Sequence, residues 1–162
     1  MGRRTKIELF KEAMKFSAAH FTIFSATHRE NLHGHNFTVQ AELEGAVSDN
    51  GMTFDYAECR RKLIEACMKL NEVTLLPGKS PHLTVKEDGG HVIALFHDEQ
   101  LTFLRRDVLV LPVRNVTCEE LSAYLLDGIV RDTSYLSEHD VRHITVKVLS
   151  GPGQSASAEW IA

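Results

Sequence analysis

Apolar and polar residues alternate along two stretches near the start of the chain. In residues 6–20 the even positions are mostly apolar, as at Phe10, Met14, Phe16 and Ala18. In residues 33–44 the odd positions are apolar, as at Phe37, Val39, Ala41 and Leu43. A period of two predicts a strand in each stretch. Because the even positions of the second stretch are polar, we expect an antiparallel sheet with one wet face.

Two later stretches have the spacing of amphipathic helices. One begins at Asp55, with Glu58 three residues on as a capping box, and carries an apolar stripe at Leu63, Ala66, Cys67 and Leu70. The other opens at Thr117, with Glu120 completing its box, and its stripe is Leu121, Tyr124, Leu125 and Ile129. The sequence therefore predicts two helices, each with one buried face.

The remaining apolar segments predict short strands. Residues 92–96 and 101–104 suggest a hairpin, and residues 144–149 and 156–161 suggest a closing pair joined by a tight loop. Residues 21–32 and 76–81 are expected to be loops. The order of strands and helices indicates an α+β fold, and we expect one domain over residues 1–162 because no linker or low-complexity tract interrupts it.

The composition narrows the class of protein. The chain has 162 residues, of which 43% are hydrophobic and 25% charged, with a net charge of −4. These values argue against disorder, and the missing basic excess argues against a nucleic-acid partner. The longest apolar runs are too short for a membrane span, and the basic first residues lack an apolar signal core. We expect a cytoplasmic protein that takes neither nucleic acid nor membrane as a partner.

Three histidines are placed for a metal site. His33 and His35 share one face of the second strand, because residues two apart in a strand point to the same side. His20 ends the first strand, and antiparallel pairing through the 21–32 loop would bring it beside them. Three imidazoles at the edge of an apolar face fit a zinc site with an open fourth position. The alternative is a set of exposed or hydrogen-bonded strand histidines.

The chain resembles the 6-pyruvoyltetrahydropterin synthase / 6-carboxytetrahydropterin synthase family. The matching segments are FSAAH at 16–20, LHGHNF at 32–37, GMTFDY at 51–56, LNEVTLLP at 70–77 and NVTCEE at 115–120. The resemblance implies a tunnelling fold, with a four-stranded antiparallel sheet and two helices on one of its faces. It also implies subunits that close into a barrel, as trimers stacked into a homohexamer with active sites at the interfaces. The segment 80–111, with its hairpin, is an addition to that minimal fold.

The resemblance implies zinc at His20, His33 and His35, but other positions depart from the family pattern. The family cysteine, four residues before the first histidine of HGH, falls on Arg29. In the type III branch of the family a glutamate takes the place of this cysteine. The run Arg29-Glu30-Asn31-Leu32-His33 matches that branch, which makes Glu30 the candidate base. The alternative for Glu30 is a solvated loop residue.

The other functional positions differ as well. The family's Asp-His pair falls on Asn71 and Glu72. Glu72 is therefore a second, weaker candidate for a catalytic carboxylate, and the alternative is that it is a surface residue at the end of a helix. The glutamate that anchors the pterin in the family falls on Ser150. The resemblance implies that Thr117 and Glu119 bind the substrate, because they lie in the segment that helps to hold the pterin in this family, although the same residues also cap a helix.

The resemblance implies a zinc-dependent lyase that acts on the side chain of 7,8-dihydroneopterin or its triphosphate. Two alternatives remain open at this point. One is a protein that binds zinc and a pterin without turnover, and the other is an enzyme with a changed substrate.

Overall fold

Ten strands and three α-helices form within the residues that the computed structural model describes, which are 3–131 and 133–162. The strands are β1 (Arg4–Leu9), β2 (Lys15–His20), β3 (His33–Ala46), β4 (Val73–Pro77), β5 (Leu83–Asp88), β6 (His91–Phe96), β7 (Glu99–Leu104), β8 (Val108–Leu111), β9 (Val141–Gly151) and β10 (Gln154–Ile161). The helices are α1 (Ala57–Leu70), α2 (Cys118–Val130) and α3 (Thr133–Glu138).

The main sheet is mixed. Its order is β10-β9-β3-β2-β4-β8, and β1 pairs with the far end of β3. The strands β1 and β2 lie end to end along one side of β3, so the antiparallel part is four strands wide. On the other side of β2, β4 and then β8 add to the sheet in parallel. The α+β prediction is confirmed, and its antiparallel sheet is extended by two parallel strands.

The single strand predicted over residues 6–20 is wrong, because the chain turns in its middle. The backbone N–H of Met14 donates to the carbonyl of Lys11 at 2.8 Å, which closes a turn between β1 and β2. Phe10 is 69% exposed, whereas Met14 is fully buried. The alternation did not indicate the turn, because Phe10 and Met14 are both apolar residues at even positions, as they would be in one continuous strand.

The two parallel strands β4 and β8 were not predicted. The run Val73–Pro77 is buried over its last four residues, and Val108–Leu111 pairs beside it. Continuous apolar runs are typical of parallel strands that are covered on both faces. The loop predicted from residue 76 therefore begins only after Pro77.

The predicted hairpin is part of a three-stranded meander, β5-β6-β7. The pairing of β6 with β7 is confirmed, and β5 adds an antiparallel strand in front of it. The meander packs against the segment after β2 and against β4. The buried members of this second core are Phe21, Ile23, Leu76, Leu83, Val92, Ala94 and Phe96.

The larger core lies between the main sheet and the helices. The odd positions of β3 and the predicted apolar stripes of α1 and α2 supply most of it. The helix α1 begins at Ala57 rather than Asp55, and Asp55 accepts a hydrogen bond from the Ala57 N–H at 2.9 Å. The capping box predicted with Glu58 is therefore wrong. Within the described ranges, every helix is too short or too polar to cross a bilayer.

Candidate functional site

Three imidazoles converge where β2 and β3 end beside each other. His20 is the direct partner of His33 in the ladder, and Ala18 is the partner of His35. The ring of His20 lies 4.7 Å from that of His33 and 5.2 Å from that of His35, between centroids. One nitrogen from each ring can be chosen so that all three lie within 4.8 Å of one another. The convergence predicted from strand parity is confirmed.

Backbone carbonyls fix which ring nitrogens face the cluster. The Nδ1 of His20 lies 2.8 Å from the Val116 carbonyl, and the Nδ1 of His33 lies 2.7 Å from the Asn31 carbonyl. Because a carbonyl only accepts, each Nδ1 is the donor, and in the neutral ring the lone pair is then on Nε2.

The lone pairs fit a metal ion. The Nε2 of His20 is buried without a hydrogen-bond partner, and the Nε2 atoms of His33 and His35 lie 3.0 Å apart. Burial lowers the pKa of His20, which keeps that ring neutral. Neutral imidazoles oriented by outer hydrogen bonds are the usual ligands of a divalent transition metal, so these residues fit such an ion.

Glu30 lies beside the histidines. Its Oε2 is 4.0 Å from the Nε2 of His33 and accepts a hydrogen bond from the Thr22 N–H at 2.9 Å. Partial burial raises the pKa of Glu30, but the hydrogen bonds from Thr22 lower it, and the pKa lies below its ordinary value. Glu30 is therefore a carboxylate at neutral pH, free to accept a proton.

A pocket of about 310 Å³ opens over the histidines and Glu30. This size is at the lower end of the range for small-molecule sites. The other side chains that line it are mostly polar: Thr22, Phe37, Thr117, Cys118, Glu119, Ser150, Gln154, Ser155 and Ala156. The structure thus brings Glu30, Thr117 and Glu119 together with the three histidines.

Thr117 and Glu120 are partly explained by the helix that they begin. The Glu120 N–H donates to the Thr117 hydroxyl at 3.3 Å, so Thr117 caps α2 as predicted. The Glu120 carboxylate accepts from the Arg114 N–H, so the reciprocal half of the predicted box is wrong. Glu119 is left to face the pocket.

Glu72 lies elsewhere. It lines a second pocket together with Ser17 and Asn36, and Ala18 and His35 border the same pocket. Strand alternation turns the side chains of Ser17 and Asn36 to the face of the sheet opposite that of the His35 ring. Within one chain, Glu72 and the histidine cluster are on different sides of the sheet.

Asn71 and Ser150 are held by hydrogen bonds of their own. The Asn71 side-chain oxygen accepts from the Ser17 N–H at 2.8 Å, which ties the end of α1 to β2. The Ser150 hydroxyl accepts from the Gln154 amide at 2.8 Å. Sequence reasoning missed Gln154 and Cys118 as lining residues. For Gln154, the loop that follows Ser150 was the available signal.

The pattern that defines the 6-pyruvoyl tetrahydropterin synthase family matches residues 8–160. The chain belongs to this family. It is 27% identical over 139 residues to a Pyrococcus abyssi protein that carries the provisional name 6-carboxy-5,6,7,8-tetrahydropterin synthase, covering 85% of this chain and 81% of that protein. A Methanocaldococcus jannaschii protein with the same provisional name is 24% identical over 144 residues, or 88% of each chain.

Solved structures agree with this assignment. The 6-pyruvoyl tetrahydropterin synthase of Plasmodium falciparum superposes with a TM-score of 0.92 at 26% identity, over 98% of this chain and 99% of that one. The Plasmodium vivax enzyme gives the same TM-score and identity over 99% of both chains. Two variants of the P. vivax enzyme replace a glutamate, described as its catalytic residue, by alanine or by cysteine.

Proposed function

We propose that this protein is a zinc-dependent lyase that acts on the side chain of 7,8-dihydroneopterin or its triphosphate. The observation that carries the proposal is the position of the ionised Glu30 at the edge of the three-histidine cluster, 4.0 Å from the Nε2 of His33. A base and a metal-binding face in one pocket suit the deprotonation of a substrate hydroxyl. The glutamate named as catalytic in the P. vivax relative supports the same role for Glu30.

His20, His33 and His35 would hold the zinc through their Nε2 atoms. A bound zinc ion supplies Lewis acidity, which lowers the pKa of a coordinated hydroxyl and polarises the carbonyl that forms from it. The outer hydrogen bonds of His20 and His33 hold their rings in the orientation that this requires.

Glu30 would accept the proton of a side-chain hydroxyl. The carbon that bears this hydroxyl becomes a carbonyl as its bond to the neighbouring carbon breaks. The electron pair of that bond passes to the carbon attached to the pterin, which then takes up a proton. The products are an aldehyde and a 6-hydroxymethyl dihydropterin, so the cleavage is a retro-aldol step. Thr22 keeps Glu30 in its ionised form before the proton moves.

Glu119 would bind the pterin ring. The amino group and ring N–H of a pterin are hydrogen-bond donors, and Glu119 is an acidic side chain that lines the pocket beyond the histidines. Thr117 lines the same wall, although its hydroxyl already accepts a hydrogen bond from the backbone of α2.

The departures at Asn71 and Ser150 favour a second candidate function. Both side chains are occupied by contacts within the chain, and neither offers a carboxylate. A protein with these substitutions could hold zinc and a pterin without turning the pterin over, or could take a different ring.

Incubation of the zinc-loaded protein with 7,8-dihydroneopterin or its triphosphate, followed by chromatography, separates these candidates. We expect a 6-hydroxymethyl dihydropterin, and a preparation of the Glu30→Gln variant serves as the matched control. Pterin binding without a product would support the binding protein. A protein that neither binds nor converts either compound would point to a changed substrate.

A further inference from the structure

The segment 21–32, here called the Glu30 loop, is folded back on itself. Ile23 and Arg29 form an isolated antiparallel bridge. The next pair toward the ends of the loop is Thr22 and Glu30. The Glu30 N–H donates to the Thr22 carbonyl at 2.9 Å, and the Thr22 N–H donates to the Glu30 carboxylate. The direction of the Glu30 side chain therefore depends on how this narrow loop is held.

Arg29 ties the Glu30 loop to the meander. Its Nη1 donates to the Glu30 carbonyl at 2.8 Å. Its Nε and Nη2 both contact one oxygen of Glu99, at 2.7 and 2.6 Å. Glu99 is the first residue of β7, so one guanidinium joins the backbone of Glu30 to the meander.

The guanidinium is also enclosed by aromatic rings. It lies 4.9 Å from the centroid of Phe21 and 5.8 Å from that of Phe96, and both rings are almost completely buried. Only 14% of the Arg29 side chain is exposed. A desolvated, planar cation with several directed hydrogen bonds holds its partners in one geometry, which a lysine cannot reproduce.

We propose that Arg29 is a positioning residue for Glu30, and that the meander β5-β7 is the support through which it acts. The inference rests on the proposed function for the reaction that Glu30 serves. Glu99 fixes the guanidinium, the guanidinium fixes the Glu30 carbonyl, and the carboxylate is thereby aimed at the histidines. This assigns a role to the segment 80–111, which the family resemblance describes only as an addition to the minimal fold.

The test compares two ion pairs of the same meander. Glu99→Gln removes the charge that holds Arg29, whereas Glu87→Gln breaks the exposed pair between Glu87 and Arg105, which does not touch the Glu30 loop. In Glu99→Gln and Arg29→Lys we expect kcat to fall about tenfold to a hundredfold, with KM and metal content close to those of the wild type, because a small misplacement of a base costs this much. Glu87→Gln should retain the wild-type kcat.

Two further measurements separate positioning from a general loss of structure. In a Glu30→Gln background, Glu99→Gln should cause little additional loss of kcat, because the base through which it acts is already gone. Hydrogen exchange of the Thr22 and Glu30 amides, followed by mass spectrometry, should become at least several-fold faster in Glu99→Gln and stay unchanged in Glu87→Gln.

The outcomes for this proposal and for the proposed function differ. A wild type without turnover but with faster exchange in Glu99→Gln would overturn the proposed function and leave the support of the loop standing. Unchanged kcat and unchanged exchange in Glu99→Gln would overturn the positioning role. So would additive losses in the double variant, or a parallel loss of metal.

Discussion

His20 and His33 face each other as direct partners in the β2–β3 ladder, and their ring centroids are 4.7 Å apart. The geometry of the candidate metal centre is therefore set by strand register. A slip of one residue would turn His33 and His35 to the opposite face of the sheet, where Asn36 now lies. The same ladder that buries Phe16 against Phe37 thus aligns the imidazoles.

The first prediction concerns the metal. His33→Ala and His35→Ala should each lose most of the bound zinc, because a site reduced from three protein ligands to two loses most of its affinity. Inductively coupled plasma mass spectrometry of the dialysed proteins measures this. His82→Ala, in an exposed loop, is the matched control and should keep its metal. Full occupancy in both strand variants would contradict the assignment.

The second prediction concerns the base. Glu30→Gln keeps the size of the side chain but cannot take a proton, so turnover should fall by roughly 10²–10⁴. The zinc content should change little, because Glu30 is not a ligand in this scheme. Steady-state kinetics and metal analysis on the same preparation test both statements. Wild-type turnover in Glu30→Gln would show that another group accepts the proton.

The third prediction concerns recognition of the pterin. Glu119→Gln removes the carboxylate that we assign to the ring, and pterin affinity should fall about tenfold or more, the usual cost of a charge-assisted hydrogen bond. Fluorescence titration with the zinc-loaded protein measures it. Glu120→Gln is the neighbouring control, since the Glu120 carboxylate accepts from the Arg114 backbone instead. Equal affinities for the wild type and Glu119→Gln would place the ring elsewhere.

The fourth prediction concerns assembly. The antiparallel part of the sheet ends at β10 on one side and at β1 on the other, and unpaired edges tend to pair with another chain. We expect copies to join through these edges into a closed ring, as a trimer or a hexamer of two trimers. Solution scattering at micromolar concentration should give the corresponding mass, and a monomer would refute the ring.

A proline variant tests the edge itself. The Ala162 N–H donates to the Arg142 carbonyl, so the alternate residues of β10 at 157, 159 and 161 direct their N–H groups away from β9. Ser157→Pro should therefore weaken association while leaving the β9–β10 ladder intact. Ser157→Thr keeps the N–H and should assemble normally.

Much of the fold and the histidine cluster followed from local patterns. Strand parity placed His33 and His35 on the buried face of β3, and it also brought His20 beside them. These are short-range rules, and the odd apolar positions of β3 obey them throughout. The α2 cap at Thr117 was predictable for the same reason.

Other features depend on contacts between distant segments. The strand β4 is stabilised by β2 and β8 on its two sides, which its five residues do not encode by alternation. The Arg29–Glu99 pair joins residues 70 positions apart, and the position of Glu72 on the opposite face of the sheet depends on where α1 ends. These relationships depend on how distant segments pack against one another, and the periodicity of a single segment contains no information about that packing.

The division of the chain into two hydrophobic cores has a consequence for heating. The histidine strands belong to the larger core, whereas the Glu30 loop rests on the smaller core beneath the meander. A small core opens at a lower free-energy cost than a large one, because it buries less apolar surface. On warming, the Glu30 loop would therefore lose its structure before the histidine strands do. A sample of zinc-loaded protein inactivated in this way would still retain its metal.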